Sequence, residues 1–405
     1  MSLTQFMRRA QGLSKRGFPF MLLRSKRTAM GQIRATARAE LFAGYPRLQR
    51  WLMVLVMTLA WPWGALVDTV REMSRPPLRQ QCLPVRLRRG LQMLAMSLLH
   101  NVPPLEFSAY RLNEPSRRAR AGDYLYWPEL NVLRTLNHRN GAHYRDVQDK
   151  ARFADLCRTH YLPCIPTLAV FSKGTQQVPL LPYVPDQPNL WAKDLAGSQG
   201  SGAERWQLHA GVYQGRDGRA LAPAALAEHW RQRRDCIVQP CLANHPDLAS
   251  LANGNLLALR IVTGRHRLGH VHVITQLLPL PWGNPLECHP PILCGIDPAT
   301  GRIIRALTAN GMAVEHHPDS GARLVGTCLP YWQQCLELVV RAHAQAFERF
   351  VFLGWDVAIG ADGPLLIETN PGWGCLHHQM IDEAPLGATA FAALALDHLE
   401  NPPCV

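Results

Sequence analysis

The chain has 405 residues, 47% of them hydrophobic, with 32 prolines, 30 glycines and a formal net charge of +13. That length and apolar content exclude a disordered or fibrous chain and allow two or three domains around a sizeable core. The 11 cysteines are odd in number and form no C-x-x-C pair, which argues against a disulfide framework and for reduced, cytosolic thiols.

The charge is uneven. Residues 1–120 hold 21 Lys+Arg against 5 Asp+Glu, and the rest hold 22 against 25. A basic segment of this kind suits an anionic membrane surface or nucleic acid. Arg8-Arg9, Lys15-Arg16 and Lys26-Arg27 lie in an irregular stretch, residues 1–50, that reads as a solvated, partly disordered arm. Arg34 and Arg38, four apart, are placed to share a helix face. No aromatic residues interleave with these charges as a base-stacking surface requires, so no nucleic-acid partner is expected.

Residues 51–67, from Trp51 to Val67, carry no charge and are flanked by Arg47, Arg50, Arg71, Arg75 and Arg79. The run is short of the ~20 residues of a spanning helix, and arginines on both sides oppose a single crossing. Three readings stay open: a dip into the cytoplasmic leaflet, a buried core helix, or a span. Residues 76–121 are helical in part, with Leu91, Leu94, Ala95, Leu98 and Leu99 at helical spacing and a stop at Pro103-Pro104. Arg117, Arg118 and Arg120 form a second basic cluster.

From Tyr124 strands and helices alternate. Lys150 to His160 reads as a helix capped by Asp149. Leu162 to Phe171, Leu190 to Lys193, Cys236 to Gln239, Asn255 to Thr263 and His270 to Leu280 read as strands, and Leu329 to Phe350 as a long amphipathic helix. Only five lysines occur, at 15, 26, 150, 173 and 193, so one inside the globular part is informative. Lys193 ends a strand and precedes a loop with Gly197, Ser198, Gly200, Ser201 and Gly202. Such glycines let backbone N–H groups approach phosphate while the lysine supplies charge. The order matches neither a P-loop nor a Rossmann fingerprint. Gln239 at a strand end offers an amide edge to a purine. Arg260 interrupts an apolar strand and needs a partner, a structural carboxylate or a phosphate. His270, His272 and His289 lack a convincing third and fourth ligand for zinc.

The last signal is a hairpin. Gly354-Trp355-Asp356-Val357-Ala358-Ile359 and Pro364-Leu365-Leu366-Ile367-Glu368-Thr369-Asn370 flank a Gly360-Ala361-Asp362-Gly363 turn. Asp356 opens one strand. Glu368 and Asn370 close the other, two apart on one face. The three converge at the open end as an all-oxygen cluster, the chemistry of a Mg²⁺ site shared with phosphates. His377-His378 follows and lines a substrate side.

Taken together, Asp149-Lys150, Leu190 to Gly202, Val238-Gln239, Asn244 to Leu248, Leu259 to Thr263, His317 to Gly321, Gly354-Trp355-Asp356 and Glu368-Thr369-Asn370-Pro371 resemble the ATP-grasp superfamily, and within it the sugar-transfer-associated ATP-grasp family, over about residues 100–380. The resemblance implies an α+β, ATP-grasp fold: two α+β subdomains gripping ATP, with a basic, partly helical N-terminal extension. Its boundaries are an extension over 1–80 with the apolar segment 51–67, a helical region over 81–148, an N-subdomain over 149–245, a C-subdomain over 246–385 and a tail over 386–405. It implies ATP and Mg²⁺ as cofactors. Lys150, Lys193, Gly197, Ser198, Gly200 and Gly202 would contact the phosphates, Gln239 and Leu242 the adenine, and Asp247 the ribose. Arg260 and Lys193 would act on the transferring phosphoryl group, and Asp356, Glu368 and Asn370 would hold the metal. Two departures stand out: Asp194 replaces a common proline, setting an acid beside the phosphate lysine, and Pro240 follows Gln239 where an acid is common. The implied activity is a carboxylate–amine ligase working through an acylphosphate in cell-surface polysaccharide or envelope biosynthesis, cytoplasmic and at the membrane face. A kinase of a small or glycan substrate and a non-catalytic nucleotide-binding scaffold are the alternatives.

Overall fold

The computed structural model describes residues 28–401 except 181–182, 198–201, 234 and 285–288. The arginine and lysine pairs before residue 28, and Ser198, Gly200 and Ser201, therefore lie outside the described residues. The described residues open with α1 (Ala29–Leu41), α2 (Arg47–Met73), α3 (Leu83–His100), α4 (Pro104–Ala109) and α5 (Pro115–Ala119). Then come α6 (Asn131–Arg139), α7 (Arg145–Gln148) and α8 (Lys150–Thr159).

The first sheet runs β1 (Ala169–Ser172), β2 (Thr175–Val178), β3 (Asn189–Asp194), β4 (Glu204–His209), β5 (Val212–Gly215), β6 (Ala220–Leu221) and, after α9 (Pro223–Gln232), β7 (Cys236–Pro240). Its spatial order is β2-β1-β7-β3-β4-β5-β6. The second sheet has β8 (Leu259–Arg265), β9 (Val271–Leu280), β10 (Ile292–Ile296) and β11 (Ile303–Leu307), then α10 (Trp332–Gln345), β12 (Phe352–Gly360) and β13 (Gly363–Asn370). Its order is β11-β10-β9-β8-β12-β13. The chain closes with α11 (Leu376–Asp382) and α12 (Ala390–Glu400).

The first sheet is covered on one face by α9, and the second on both: by α10 on one side, and on the other by α11 and α12, where Leu277 and Leu293 meet Ile381 and Val262 and Phe352 meet Phe391 and Leu394. Leu190, Ala192 and Trp206 of the first sheet pack on Leu226 and Trp230 of α9. Ile261, Trp355, Val357 and Leu366 of the second pack on Cys335, Leu338 and Val339 of α10. Trp355 is fully buried, worth about 3 kcal/mol of apolar transfer. Its indole Nε1 donates to Thr263 Oγ1 at 2.7 Å, and that hydroxyl lies 2.7 Å from His343 Nδ1. The sheets are tied together where Leu366 N donates to Pro163 O (3.0 Å) and Ile165 N to Leu366 O (3.2 Å).

Several expectations change. The stretch Leu162 to Phe171 is a strand only from Ala169, because Pro163 and Pro166 withhold ladder donors before it. The helix expected over Leu329 to Phe350 is Trp332–Gln345: Tyr331 is left-handed (φ 54°), and past Ala346 the chain turns back, Phe347 N donating to Ala342 O. The solvated arm is the larger correction. Within it, Met30, Ile33 and Ala37 of α1 sit in a core with Val132 and Leu136 of α6 and Phe391 and Leu394 of α12. Arg34 is buried, 2.9 Å from Glu129, and also donates to the carbonyls of Gly122 and Tyr124. Charge composition reads a basic stretch as solvated, but a buried acid 95 residues away neutralises this arginine. Residues 386–401 are not a tail either: the apolar side chains Phe391, Leu394 and Ala395 of α12 close that core.

Candidate active site

The two carboxylates expected together at the hairpin meet through a feature that the turn alone does not reveal. Gly360 pairs with Gly363 across Ala361-Asp362, and Val357 pairs with Leu366. Continued unbroken, that register would set Asp356 opposite Ile367. A β-bulge between Asp356 and Val357 rephases it, so Asp356 pairs with Glu368 and Gly354 with Asn370. The extra residue is Ile367. Since one step of register flips a side chain to the other face, the bulge is what brings both carboxylates to one side. On the other side of β12, Asp356 pairs with Arg260 of β8, whose Nε lies 3.4 Å from Asp356 Oδ1. Arg260 is half exposed rather than buried, because this face of the sheet opens into the cleft. Its partner in the structure is this carboxylate.

Lys193 reaches the same cluster from the first sheet. On β3, Leu190 and Ala192 point to the α9 core, so Trp191 and Lys193 point the opposite way. Lys193 sits where its charge interacts with Glu368, Lys150 and Asp356. Burial holds its ammonium below the usual lysine range; Glu368 and Asp356 oppose that shift and Lys150 adds to it. Burial pushes the Asp356 carboxyl up to about 6, with Arg260 and Lys193 pulling down and Glu368 pushing up. Two carboxylates held side by side, one of them buried, together with an amide oxygen, form a hard oxygen set that fits Mg²⁺.

Lys150 begins α8, whose cap is Asp149: its Oδ1 accepts from Ala151 N at 3.0 Å and Arg152 N at 3.2 Å. The Lys150 Nζ donates to Gly197 O at 2.9 Å, holding the start of the glycine segment. The other end of that segment is held by Asp194, and here the sequence reading is corrected. Asp194 is one step along β3 from Lys193, so it faces away from the phosphate lysine, buried against Arg233. Arg233 Nη2 donates to Asp194 Oδ1 at 3.0 Å and to Gly202 O at 2.7 Å. Gly202 has φ +65°, and a Cβ there would lie 2.2 Å from the Asp194 carboxylate, so only glycine fits.

Gln239 is buried on β7, paired with Trp191 on the cleft side. Leu242 lines a cavity of about 870 Å³ between the hairpin turn and α10. Asp247 is exposed at the start of a 3-10 turn, its carboxylate 3.6 Å from the His245 ring. No contact among the described residues joins Leu242 or Asp247 to the charged cluster.

Two further groups belong to the surroundings. Arg205 pairs with Trp191 across β3 and β4, which puts it on the face shared with Lys193; its side chain interacts with Cys241, and its Nε has no hydrogen-bond partner among the described residues. The period of two in Glu204–His209 was the signal for it. His378 is buried beneath the site with its Nδ1 3.1 Å from Thr275 Oγ1. Burial, with smaller contributions from Arg260 and His377, holds it down to about 3. His377 is lowered by partial enclosure and then by Arg260, which places both rings within that guanidinium's field.

Two α+β units with a lysine on one facing an acid–arginine cluster on the other define an ATP-grasp protein. The chain belongs to the sugar-transfer associated ATP-grasp family, whose model matches residues 131–390. It is similar to a solved N5-carboxyaminoimidazole ribonucleotide synthetase in complex with ADP, at 13% identity and TM-score 0.37, covering 63% of this chain and 57% of that one. It is also similar to D-alanyl-alanine synthetase A from Vibrio cholerae, at 9% identity and TM-score 0.37, covering 64% of this chain and 65% of that one. A third similar structure is the L-amino acid ligase from Bacillus licheniformis, at 12% identity and TM-score 0.32, covering 73% and 54%. The match thus spans less than two thirds of each of these chains. No curated protein matches the chain.

Proposed function

We propose that this protein is an ATP- and Mg²⁺-dependent carboxylate–amine ligase acting on a cell-surface polysaccharide or envelope precursor, in the cytoplasm at the membrane face. The observation that carries the reading is the convergence, across two sheets, of Lys193 with Asp356, Glu368 and Arg260. Phosphoryl transfer needs charge neutralisation and positioning more than a protein nucleophile, and that is what these groups supply. Lys193 and Lys150 neutralise the ATP phosphates, which Gly197, Ser198, Gly200 and Gly202 also contact. Gln239 offers its amide to the adenine edge on the wall that Trp191 shares. Leu242 and Asp247 extend that wall toward adenine and ribose. Asp356, Glu368 and Asn370 would hold Mg²⁺, which would supply positive charge at the phosphates. Arg260, beside Asp356, would contact the γ-phosphoryl group.

A carboxylate oxygen of the substrate attacks the γ-phosphorus and the bond to the ADP oxygen breaks. An amine then attacks the acyl carbon, loses a proton, and inorganic phosphate leaves. Hydroxylamine tests the reading: with MgATP and the carboxylate substrate it should give a hydroxamate. ADP release without hydroxamate points to a kinase. Glu368→Ala should abolish turnover; cellular function that survives it points to a scaffold.

A further inference from the structure

Helix α2 runs unbroken through Pro62 and Gly64. Its inner stripe, Met53, Met57, Trp61, Ala65, Thr69 and Glu72, is buried at a four-residue spacing. Trp61 Nε1 donates to Ser97 O of α3 at 3.3 Å, and Met53 and Met57 meet Phe42 and Tyr45. The outer face is apolar and uncovered: Trp51 is 71% exposed, Leu59 72% and Trp63 70%, with Leu55 between them and Leu66 just beyond. Leu87, Leu91 and Leu99 of α3, the helix packed along α2, are exposed as well. Monomeric soluble proteins rarely carry an apolar patch above ~300–600 Å². A helix anchored along its inner side from Met53 to Glu72 is held flat against the body, so its two basic ends share one surface. Arg47 and Arg50 are exposed at one end, and Arg71, Arg75, Arg79 and Arg88 at the other. Tryptophans within an apolar face rimmed by arginines match the interface of an anionic bilayer. By length and composition this 27-residue helix could also cross a membrane, but its inner stripe is packed on the body of the protein, which favours a helix lying along a surface.

The rim of this face leads inward. Exposed Leu105 and Trp127 adjoin a cavity of about 400 Å³ whose walls include Trp61 and Glu72 of α2 on one side and Gly374, Leu376 and His377 on the other. Residue 374 lies four past Asn370, and His377 lies within the field of Arg260. The cavity thus runs from the apolar face toward the substrate side of the acid–arginine site.

We propose that the α2–α3 face seats this protein on an anionic bilayer, and that the cavity beneath it admits the polar head of an amphiphile held in that bilayer. This rests on the ligase reading and names its second substrate: a lipid-anchored molecule whose head carries the carboxylate or amine. The occupant of the face is lipid, not a second copy of the chain.

The test uses the full chain, because deleting residues 1–75 would remove α1 from the core. Vesicles of phosphatidylglycerol and phosphatidylcholine in equal parts, doped with a phosphatidylglycerol bearing a diazirine on its head group, are mixed with the protein, floated and irradiated. The protein should float with them and not with phosphatidylcholine alone, and carbene adducts should fall on residues 103–106 or 374–377. Leu55→Glu/Leu59→Glu/Trp63→Glu should lower flotation by about tenfold or more, since each change removes apolar burial and adds repulsion. All three residues are exposed, so MgATP binding should be unchanged. Gly374→Trp, where a side chain meets open space, should keep flotation and lose the adducts in both segments. No flotation on the anionic vesicles, adducts only elsewhere, or a stable dimer that buries this face would overturn the proposal. MgATP binding measured alongside separates the two readings: its absence with flotation and labelling intact sinks the ligase assignment alone.

Discussion

Asp194 gives the sharpest test, because sequence adjacency and spatial adjacency predict opposite signs. If the acid stood beside Lys193, Asp194→Asn would remove a repulsion from the phosphates and tighten ATP binding at no cost to stability. The structure turns it away, onto Arg233 and the carbonyl of Gly202. Both side chains are nearly enclosed, at 10% and 14% exposed. Glu204 keeps a carboxylate 3.0 Å from Arg233 Nη1, without hydrogen-bond geometry, so the guanidinium is not stranded. A charge-assisted bond is worth ~1.5–3 kcal/mol against ~0.5–1.5 for a neutral one, so Asp194→Asn should cost about 1–2 kcal/mol. Asp194→Ala removes the bond altogether and should cost roughly 3 kcal/mol, the low end for a broken buried pair. At about 2–4 °C per kcal/mol, the asparagine variant should melt roughly 2–8 °C lower by calorimetry. The glycine segment loses an anchor, so KM for ATP should rise roughly threefold to tenfold, equivalent to ~0.7–1.4 kcal/mol. A lower KM with an unchanged melting temperature would refute the placement.

Three more predictions follow from single contacts. Arg34→Met removes the guanidinium from buried Glu129 and from the carbonyls of Gly122 and Tyr124. It should cost about 3–5 kcal/mol in urea denaturation, and adding Glu129→Gln should restore part of that. His343 is buried with its Nε2 2.8 Å from Phe350 O, and burial lowers its pKa from 6.5 to about 4. The unfolded chain protonates first, so its contribution is full above pH 6.5 and is lost as pH falls toward 4; on the order of 3 kcal/mol should disappear over that window, less in His343→Gln. Arg205→Ala should weaken nucleotide binding in titration calorimetry and leave the melting temperature alone, as expected of a cation on this face whose Nε has no hydrogen-bond partner among the described residues.

What the sequence made legible was what a period of two can carry. Lys193, Arg260, Asp356 and Glu368 stand out because charges interrupt apolar strands, and those interruptions face the cleft. The Asp149 cap and the hairpin turn were equally local. Asp194 was misjudged because neighbours along a strand are opposites in space. Arg34 was misjudged because its partner is 95 residues away, and no local pattern distinguishes a solvated arginine from one that has found a buried acid. The outer face of α2 was ambiguous for a related reason. An apolar run reads alike as core, span or surface until the structure shows which stripe is covered, and here only the stripe from Met53 to Glu72 is.

The bulge at Ile367 is the least visible feature and the one on which the site depends. From the turn outward, Gly360–Gly363, Ile359–Pro364, Ala358–Leu365 and Val357–Leu366 keep one register, and a reader of the sequence would continue it to Asp356–Ile367. In that register Glu368 would pair with Trp355, which points into the α10 core. The two registers can be told apart by moving the acid. Exchanging the residues, Ile367→Glu with Glu368→Ile, would restore the acid pair in an unbroken hairpin and destroy it in a bulged one. The bulged structure therefore predicts that the exchange abolishes Mg²⁺-dependent ATP binding. Deleting Ile367 outright should retain much of it, since Leu366 would then be followed directly by Glu368, still opposite Asp356. The bridge from Leu366 to Pro163 and Ile165 lies on the turn side of the deletion and fixes the strand there. Titration calorimetry with Mg²⁺ and a non-hydrolysable ATP analogue reads both variants. Binding by the exchanged chain together with loss in the deletion would show that the acids meet by some path other than this bulge.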